Sequence, residues 1–85
     1  MAYSVIWSPR SKEDLIELET GLARRIIKKT TELELAPYHF IEKMTDVNCW
    51  KLRVGDYRVL LDIKEERKEI QVLKVGHRKN IYKQL

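Results

Sequence analysis

The sequence lacks most of the residues that build metal, disulfide and serine-based sites. One cysteine among 85 residues excludes both a disulfide within the chain and a cysteine-based zinc site. The two histidines, His39 and His77, lie in unrelated segments without the spacing of metal ligands, and no glycine-rich phosphate loop occurs. All serines precede residue 12, which disfavours a serine triad. We therefore expect neither a metal nor a cofactor.

Long apolar runs are also missing. Residues 59–61 form one of the longest, far short of a transmembrane span, and the first seven residues become polar too soon for a signal peptide. We expect a cytoplasmic protein that does not enter a membrane. The length suits one compact domain over residues 1–85.

Charge is what the sequence has in quantity. Charged residues make up 35% of the chain, and 17 Lys and Arg against 13 Asp and Glu leave a formal charge of +4. This excess points to a polyanionic partner, either a nucleic acid or an acidic protein. Hydrophobic residues, at 44%, are sufficient for a core.

The first half of the chain has the spacing of one strand and two helices. Alternation predicts a strand over Tyr3–Trp7. Ser8 is a suitable N-cap and Pro9 a suitable first helical residue, although a capping box at Ser11–Asp14 offers a competing start. Leucines then recur at helical spacing, and two amphipathic helices joined near Gly21 are predicted.

The second half is richer in strand patterns. Pro37 ends the second helix, Tyr38–Asn48 is predicted to be irregular, and His77–Leu85 is predicted to form a short helix. The predicted strands between these two segments are Cys49–Val54, Tyr57–Ile63 and Glu69–Val75. The order β-α-α-β-β-β predicts an α+β fold in which both helices pack on one face of a mainly antiparallel four-stranded sheet.

Gly55 and Asp56 suit a two-residue type II′ hairpin turn, which fixes the pairing of the flanking strands. The register pairs Val54 with Tyr57, Arg53 with Arg58, Leu52 with Val59, Lys51 with Leu60, and Trp50 with Leu61. One face then collects Trp50, Leu52, Val54, Tyr57, Val59, Leu61 and Ile63 as the core face. The opposite face collects Cys49, Lys51, Arg53, Arg58, Leu60 and Asp62.

The second face concentrates positive charge. Arg53 and Arg58 lie directly opposite each other with Lys51 diagonal to them, and like charges at such positions are destabilising. A cluster that costs stability is a candidate anion site, and phosphate is the obvious anion. A sheet face whose charges simply point into water is the alternative interpretation.

A second group of suitable residues follows the last predicted strand. Gly76 suggests a bend or a close approach of the backbone. After it, His77, Arg78 and Tyr82 bring an imidazole, a fixed cation and an aromatic ring to one strand end. Cations interleaved with an aromatic ring are typical of sites for single-stranded RNA.

Two motifs resemble those of the RelE/ParE toxin superfamily, and most closely those of RelE-type mRNA interferases. They are W-K-L-R-V-G-D-Y-R-V over residues 50–59 and V-G-H-R-x-x-I-Y over residues 75–82. The resemblance implies a toxin of a type II toxin–antitoxin system that enters the ribosomal A site and cuts mRNA there without a metal. In such enzymes the ribose 2′-hydroxyl attacks the adjacent phosphate and leaves a cyclic phosphate end.

The resemblance also implies which residues form the site. Arg58 would hold the scissile phosphate, Arg78 would stabilise the leaving 5′-oxygen or pass it a proton, and Tyr82 would stack on a base. The implied catalytic residues are Lys51, Arg53, Arg58, Arg78 and Tyr82, and the implied RNA-binding set adds Lys74 and His77.

One position departs from some members of the family. Where this chain has Arg53, some relatives have a lysine that is credited with abstracting the proton, and arginine is too strongly basic for that role. Lys51, beside two arginines that favour its neutral amine, is the expected general base, and His77 is the next residue to test.

The implied partners are a RelB-like antitoxin, the ribosome and mRNA, with operator DNA bound through the antitoxin. Two alternatives remain open at this point. A ParE-like toxin would poison DNA gyrase without cutting RNA, and a non-catalytic module would only hold RNA or the antitoxin. The full set of basic residues with Tyr82 favours the ribonuclease.

Overall fold

A computed structural model describes residues 2–45 and 49–84. Met1, residues 46–48 at the end of the stretch predicted to be irregular, and Leu85 at the end of the predicted tail lie outside the described residues. The helices and strands are β1 (Ser4–Trp7), α1 (Pro9–Ile16), α2 (Thr20–Thr31), β2 (Ile41–Lys43), β3 (Trp50–Val54), β4 (Tyr57–Lys64) and β5 (Glu69–His77). Short 3₁₀ turns occupy Glu32–Glu34, Glu65–Arg67 and Ile81–Gln84. The predicted α+β class is confirmed.

The strands form one mixed sheet in the order β1-β5-β4-β3-β2. β1 lies parallel to β5, and the other neighbours are antiparallel. The predicted number of four strands was one too few, because Ile41–Lys43 adds an edge strand against β3. Three residues with a single apolar side chain cannot show alternation, so only the pairing with β3 makes this segment a strand.

Each of the two helices begins after a side chain that accepts hydrogen bonds from the free N–H groups of its first turn. Ser8 caps α1 as predicted, since its hydroxyl accepts a hydrogen bond from a backbone N–H of the first turn, and Pro9 is the first helical residue. The break between the helices precedes Gly21, which lies inside the first turn of α2 and not at the junction. The carboxylate of Glu19 accepts hydrogen bonds from the N–H groups of Gly21 and Leu22 and so satisfies two free donors of α2.

The predicted hairpin register is confirmed pair by pair. Arg53 lies opposite Arg58 and Lys51 opposite Leu60, with the turn at Gly55 and Asp56. Gly55 has a φ of +58°, which the first position of a type II′ turn requires. The turn therefore determines which face of the sheet each cation occupies.

Replacing Gly55 with alanine is expected to lower the free energy of unfolding by about 1–3 kcal/mol, because a side chain disfavours positive φ. The space around the glycine is not the obstacle, since an added Cβ would lie 3.5 Å from the Arg25 guanidinium. Urea unfolding of Gly55→Ala tests this. Asp56→Ala, at the neighbouring turn position without a positive φ, is the matched control, and an equal loss in both variants would contradict the assignment of the loss to the positive φ of Gly55.

The core lies between the helices and the face of the sheet predicted to be apolar. Its buried residues are Ile26, Leu33, Leu52, Val54, Val59, Leu61, Ile70, Val72 and Val75. Val5 and Trp7 of β1, and Tyr3 just before it, pack against this cluster. The apolar pattern of the sequence predicts this core, and burial of its apolar surface is the main favourable contribution to folding.

The opposite face is partly covered by the C-terminal 3₁₀ turn. Ile81 packs on Gly76 so closely that an added Cβ at Gly76 would lie 2.9 Å from the Ile81 Cδ1. Ile81 and Leu60 are both buried. The close approach predicted at Gly76 is therefore present, and it fixes the last turn beside the cations of β3 and β4.

Glu65 joins three distant parts of the chain at the other end of the sheet. The hydroxyl of Tyr3 donates to Glu65 Oε2 at 2.8 Å, and the hydroxyl of Tyr38 donates to Oε1. Both hydrogen bonds lower the pKa of Glu65, the one from Tyr38 more strongly, and the hydrogen bond to Glu65 raises the pKa of Tyr38 to about 12.

This contact predicts a pH-dependent contribution to stability. Because the folded pKa of Glu65 lies below its ordinary value of 4.5, its contribution is present above pH 4.5 and is lost as the pH falls through the folded pKa. Thermal melts of wild type and Glu65→Ala should differ at pH 7 and converge below pH 4.5. Glu66→Ala, at an exposed neighbour, is the control. A gap that stays constant down to pH 3 would contradict the prediction.

Candidate functional site

An open groove of about 500 Å³ lies on the sheet face opposite the helices. Its walls come from β2, β3, β4 and the segment after β5. The lining residues are Glu42, Lys51, Arg53, Arg58, Arg78, Lys79 and Tyr82. Five cations thus surround one carboxylate and one aromatic ring, so the groove attracts anions.

The floor of the groove is the pair Arg53 and Arg58. Arg58 is only 8% exposed, and its Nη1 donates to the carbonyls of Gly55 and Tyr57 at 2.9 Å each. One nitrogen of the guanidinium is thus held by the hairpin turn, while the residue still lines the groove. Arg53 is exposed. The turn carbonyls partly offset the repulsion between these two cross-strand cations.

Arg78 and Tyr82, from the segment after β5, form one wall of the groove. The backbone N–H of Arg78 donates to the Asp56 carbonyl at 2.8 Å, and its Nε lies 3.6 Å from an Asp56 carboxylate oxygen. These contacts fix the segment after β5 to the hairpin turn. The Lys51 Nζ lies 5.7 Å from the centroid of the Tyr82 ring, within the range of a cation–π contact. Tyr82 is 40% exposed, which leaves part of the ring open to a stacking partner.

The groove also holds two residues that sequence reasoning missed. Glu42 lies opposite Lys51 in the β2–β3 pair. It was missed because β2 itself was not predicted. Lys79 follows Arg78 directly, and this adjacent basic residue was a signal in the sequence that could have identified it.

Two residues of the predicted RNA-binding set do not line this groove. His77 pairs with Tyr57 on the helix side of the sheet, where the two rings meet edge to face with centroids 5.4 Å apart. Its Nδ1 accepts a hydrogen bond from the N–H of Lys79. Lys74 lies two strands from Lys51 and lines a separate, smaller depression.

The part of the chain that the structure describes contains neither a cluster of metal ligands nor a membrane-spanning helix. Within residues 2–45 and 49–84, no three His, Cys, Asp or Glu side chains converge to hold a metal ion. Over the same ranges, no helix has both the length and the apolar character to cross a membrane.

A family model settles the relationship that the motifs suggested. The model of the ParE toxin of type II toxin–antitoxin systems, parDE, matches residues 5–82. The chain belongs to the ParE toxin family. The match covers every residue that lines the groove, and it confirms the resemblance to the RelE/ParE superfamily. No curated protein matches the sequence.

Solved structures of RelE proteins have the same fold as this ParE-family toxin. The RelBE2 toxin–antitoxin complex of Mycobacterium tuberculosis matches with a TM-score of 0.84 and 21% identity, over 91% of this chain and 92% of that chain. The archaeal RelE–RelB complex of Pyrococcus horikoshii OT3 matches at 0.76 and 26%, over 92% and 97%. A mutant RelE of E. coli in the free state matches at 0.78 and 23%, over 95% and 88%.

Proposed function

We propose that this toxin is a ribosome-dependent mRNA endoribonuclease that inhibits translation and needs no metal. The observation that carries the proposal is the groove, in which five cations and a half-open tyrosine ring surround a space of about 500 Å³. A phosphodiester flanked by bases has the complementary chemistry, because its phosphate binds cations and its bases stack on aromatic rings.

The reaction that we propose for the groove is an intramolecular transesterification within one RNA strand. The 2′-oxygen of a ribose attacks the adjacent phosphorus, and the bond from phosphorus to the 5′-oxygen breaks. The 2′-proton passes to a base in the groove, and the leaving 5′-oxygen takes up a proton. The products are a 2′,3′-cyclic phosphate and a 5′-hydroxyl end.

Each role has a candidate residue. Arg58, held by the hairpin carbonyls, binds the scissile phosphate and the charge that grows on it in the transition state. Arg78 stabilises the leaving oxygen, and Arg53 adds a second contact to the phosphate. Tyr82 stacks on a base and keeps the strand in place. Fixed cations supply the charge stabilisation that a metal ion provides in other nucleases.

Lys51 is the proposed general base. It is the second residue of β3, and its Nζ lies 5.7 Å from the centroid of the Tyr82 ring, where the ribose of a stacked nucleotide would be near its amine. Glu42, across from it on β2, is a second group able to accept a proton. His77 is less suited to the role, because its ring lies on the other face of the sheet against Tyr57.

The proposed partners follow from charge and from the relatives. RelE of Pyrococcus horikoshii is found in complex with RelB, and a RelB-like antitoxin with an acidic segment would complement the groove of this chain. The toxin acts in the cytoplasm on the ribosome and mRNA, and the antitoxin mediates binding of the pair to operator DNA.

Gyrase poisoning is the second candidate, and the ParE family model favours it. Purified toxin, incubated in parallel with mRNA-programmed ribosomes and with gyrase on supercoiled DNA, distinguishes the two functions. We expect cut mRNA with cyclic phosphate ends and unchanged DNA. Gyrase-dependent DNA breaks beside intact mRNA would contradict the proposal, and mRNA bound but uncut would reduce the chain to a binding module.

A further inference from the structure

A small depression adjoins the groove beside β3, where α2 packs on the sheet. It has a volume of about 100 Å³ and is lined by Lys29, Glu32, Phe40, Leu52 and Arg53. Arg53 also lines the groove, so the two spaces adjoin at this side chain. A strand that lies in the groove can therefore continue past Arg53 into the second space, which we call the Phe40 depression.

Phe40 supplies an open aromatic ring to this depression. Its side chain is 63% exposed, whereas Leu52 beside it is buried. The ring of His39 packs against Phe40 at nearly a right angle, with the centroids 4.3 Å apart. Ile41 lies opposite Leu52, so continuing that register places Phe40 opposite Arg53. An exposed ring next to a fixed cation has the chemistry on which a nucleobase stacks.

Glu32 supplies a hydrogen-bond acceptor beside the ring. Its Oε1 lies 3.9 Å from the Lys29 Nζ, and both side chains are about half exposed. So loose an ion pair leaves the carboxylate accessible to a ligand. An ionised carboxylate only accepts hydrogen bonds, so it suits a base edge that carries an amino group. Uracil has a carbonyl oxygen where cytosine has its amino group, and the carboxylate repels that oxygen.

We propose that the Phe40 depression is a nucleobase subsite in which Phe40 stacks on a base and Glu32 accepts a hydrogen bond from the amino group of that base. This inference rests on the proposed function and extends it to substrate selectivity. Tyr82 and Phe40 then stack on the bases at either side of the scissile phosphate, and Arg53 contacts the phosphate between them. The subsite accepts cytosine, adenine or guanine and disfavours uracil.

The same carboxylate favours a nucleobase over a protein segment as the occupant. An acidic antitoxin segment that complements the cations of the groove would meet the negative charge of Glu32 in the Phe40 depression. A base brings no charge of its own to the subsite, and its phosphate stays beside Arg53. Continuity with the groove therefore identifies the next nucleotide of the same strand as the ligand.

The test measures equilibrium binding of two 2′-O-methyl RNA hexanucleotides, one of cytidines and one of uridines, at low ionic strength. Neither can be cleaved by 2′-hydroxyl attack. Glu32→Gln removes the charge and can both donate to and accept from a base, and Glu13→Gln, at an exposed position on α1, is its control. Phe40→Leu removes the ring, and Phe40→Trp restores one. Arg78→Ala reports on the groove alone, with Lys28→Met, at an exposed position on α2, as its control.

We expect the wild type to bind the cytidine hexanucleotide about tenfold more tightly than the uridine one. Glu32→Gln should reduce this ratio to about twofold or less, and Glu13→Gln should keep it. Phe40→Leu should weaken binding of both probes about tenfold, whereas Phe40→Trp should bind them as wild type does.

Two results would overturn the subsite and leave the groove intact, provided that Arg78→Ala weakens binding of both probes. The first is unchanged binding by Phe40→Leu, which would assign the exposed ring to a protein partner. The second is a preference for cytidine that survives in Glu32→Gln. If the wild type binds neither probe, or if Arg78→Ala binds both as wild type does, the groove is not an RNA site, and the proposed function fails together with the subsite.

Discussion

Arg58→Ala is expected to slow cleavage of ribosome-bound mRNA by roughly a hundred- to a thousandfold, the effect of removing one preorganised donor from a developing oxyanion. The guanidinium is preorganised because its Nη1 is fixed by the carbonyls of Gly55 and Tyr57. Single-turnover cleavage of a message held on purified ribosomes measures the effect. A rate within threefold of wild type would remove Arg58 from the transition state.

The same hydrogen bonds make Arg58 part of the hairpin, so loss of activity needs a structural control. Arg58→Lys keeps a positive charge in the groove and loses the planar fork that reaches both carbonyls and phosphate. We expect it to recover only part of the cleavage rate. A thermal melt of each variant separates this effect from unfolding, since a folded Arg58→Lys protein with full activity would mean that charge alone suffices.

The second large effect concerns the proton of the 2′-hydroxyl. Lys51→Met is expected to lower the cleavage rate by about 10²–10⁴, the usual contribution of general acid–base catalysis, and to remove the acidic limb of the pH–rate profile. Glu42→Gln should keep that limb, because the proposed base is Lys51, which lies opposite Glu42 in the β2–β3 pair.

The outcome of this pair of variants identifies the base. An acidic limb that survives in Lys51→Met would exclude Lys51 as the base. Its disappearance in Glu42→Gln would assign the role to the carboxylate on β2. His77→Ala is the control on the other face of the sheet, and we expect its profile to match that of wild type.

The cationic part of the groove could be predicted because a two-residue turn leaves little freedom. Gly55 and Asp56 determine the register of β3 and β4, and the period-two alternation then places Arg53 and Arg58 on the face opposite the core. A shift of one residue would bury both arginines, so the hydrophobic pattern and the turn agree on a single solution. The paired residues lie close together in the sequence, so their pairing can be predicted from the sequence alone.

The rest of the site depends on long-range contacts. Glu42 enters the groove only because β3 provides an edge against which a three-residue strand can pair. Lys74 lies on the basic face only because a register shift opposite Leu60 and Leu61 interrupts the alternation that starts at Ile70 and Val72, and it lines a separate depression. The location of the helix break also depends on one side chain, the carboxylate cap of Glu19, which propensity does not reveal.

Arg78 offers the most direct test that the groove cuts RNA. Its side chain is largely exposed and its ion pair is with the exposed Asp56, so Arg78→Ala should fold as wild type does. The measurement is primer extension on a translated message, with wild type, Arg78→Ala and Lys28→Met compared. We expect ribosome-dependent breaks with wild type and Lys28→Met, and their loss with Arg78→Ala. Unbroken message with all three proteins, together with stalled gyrase, would show that the groove does not cut RNA.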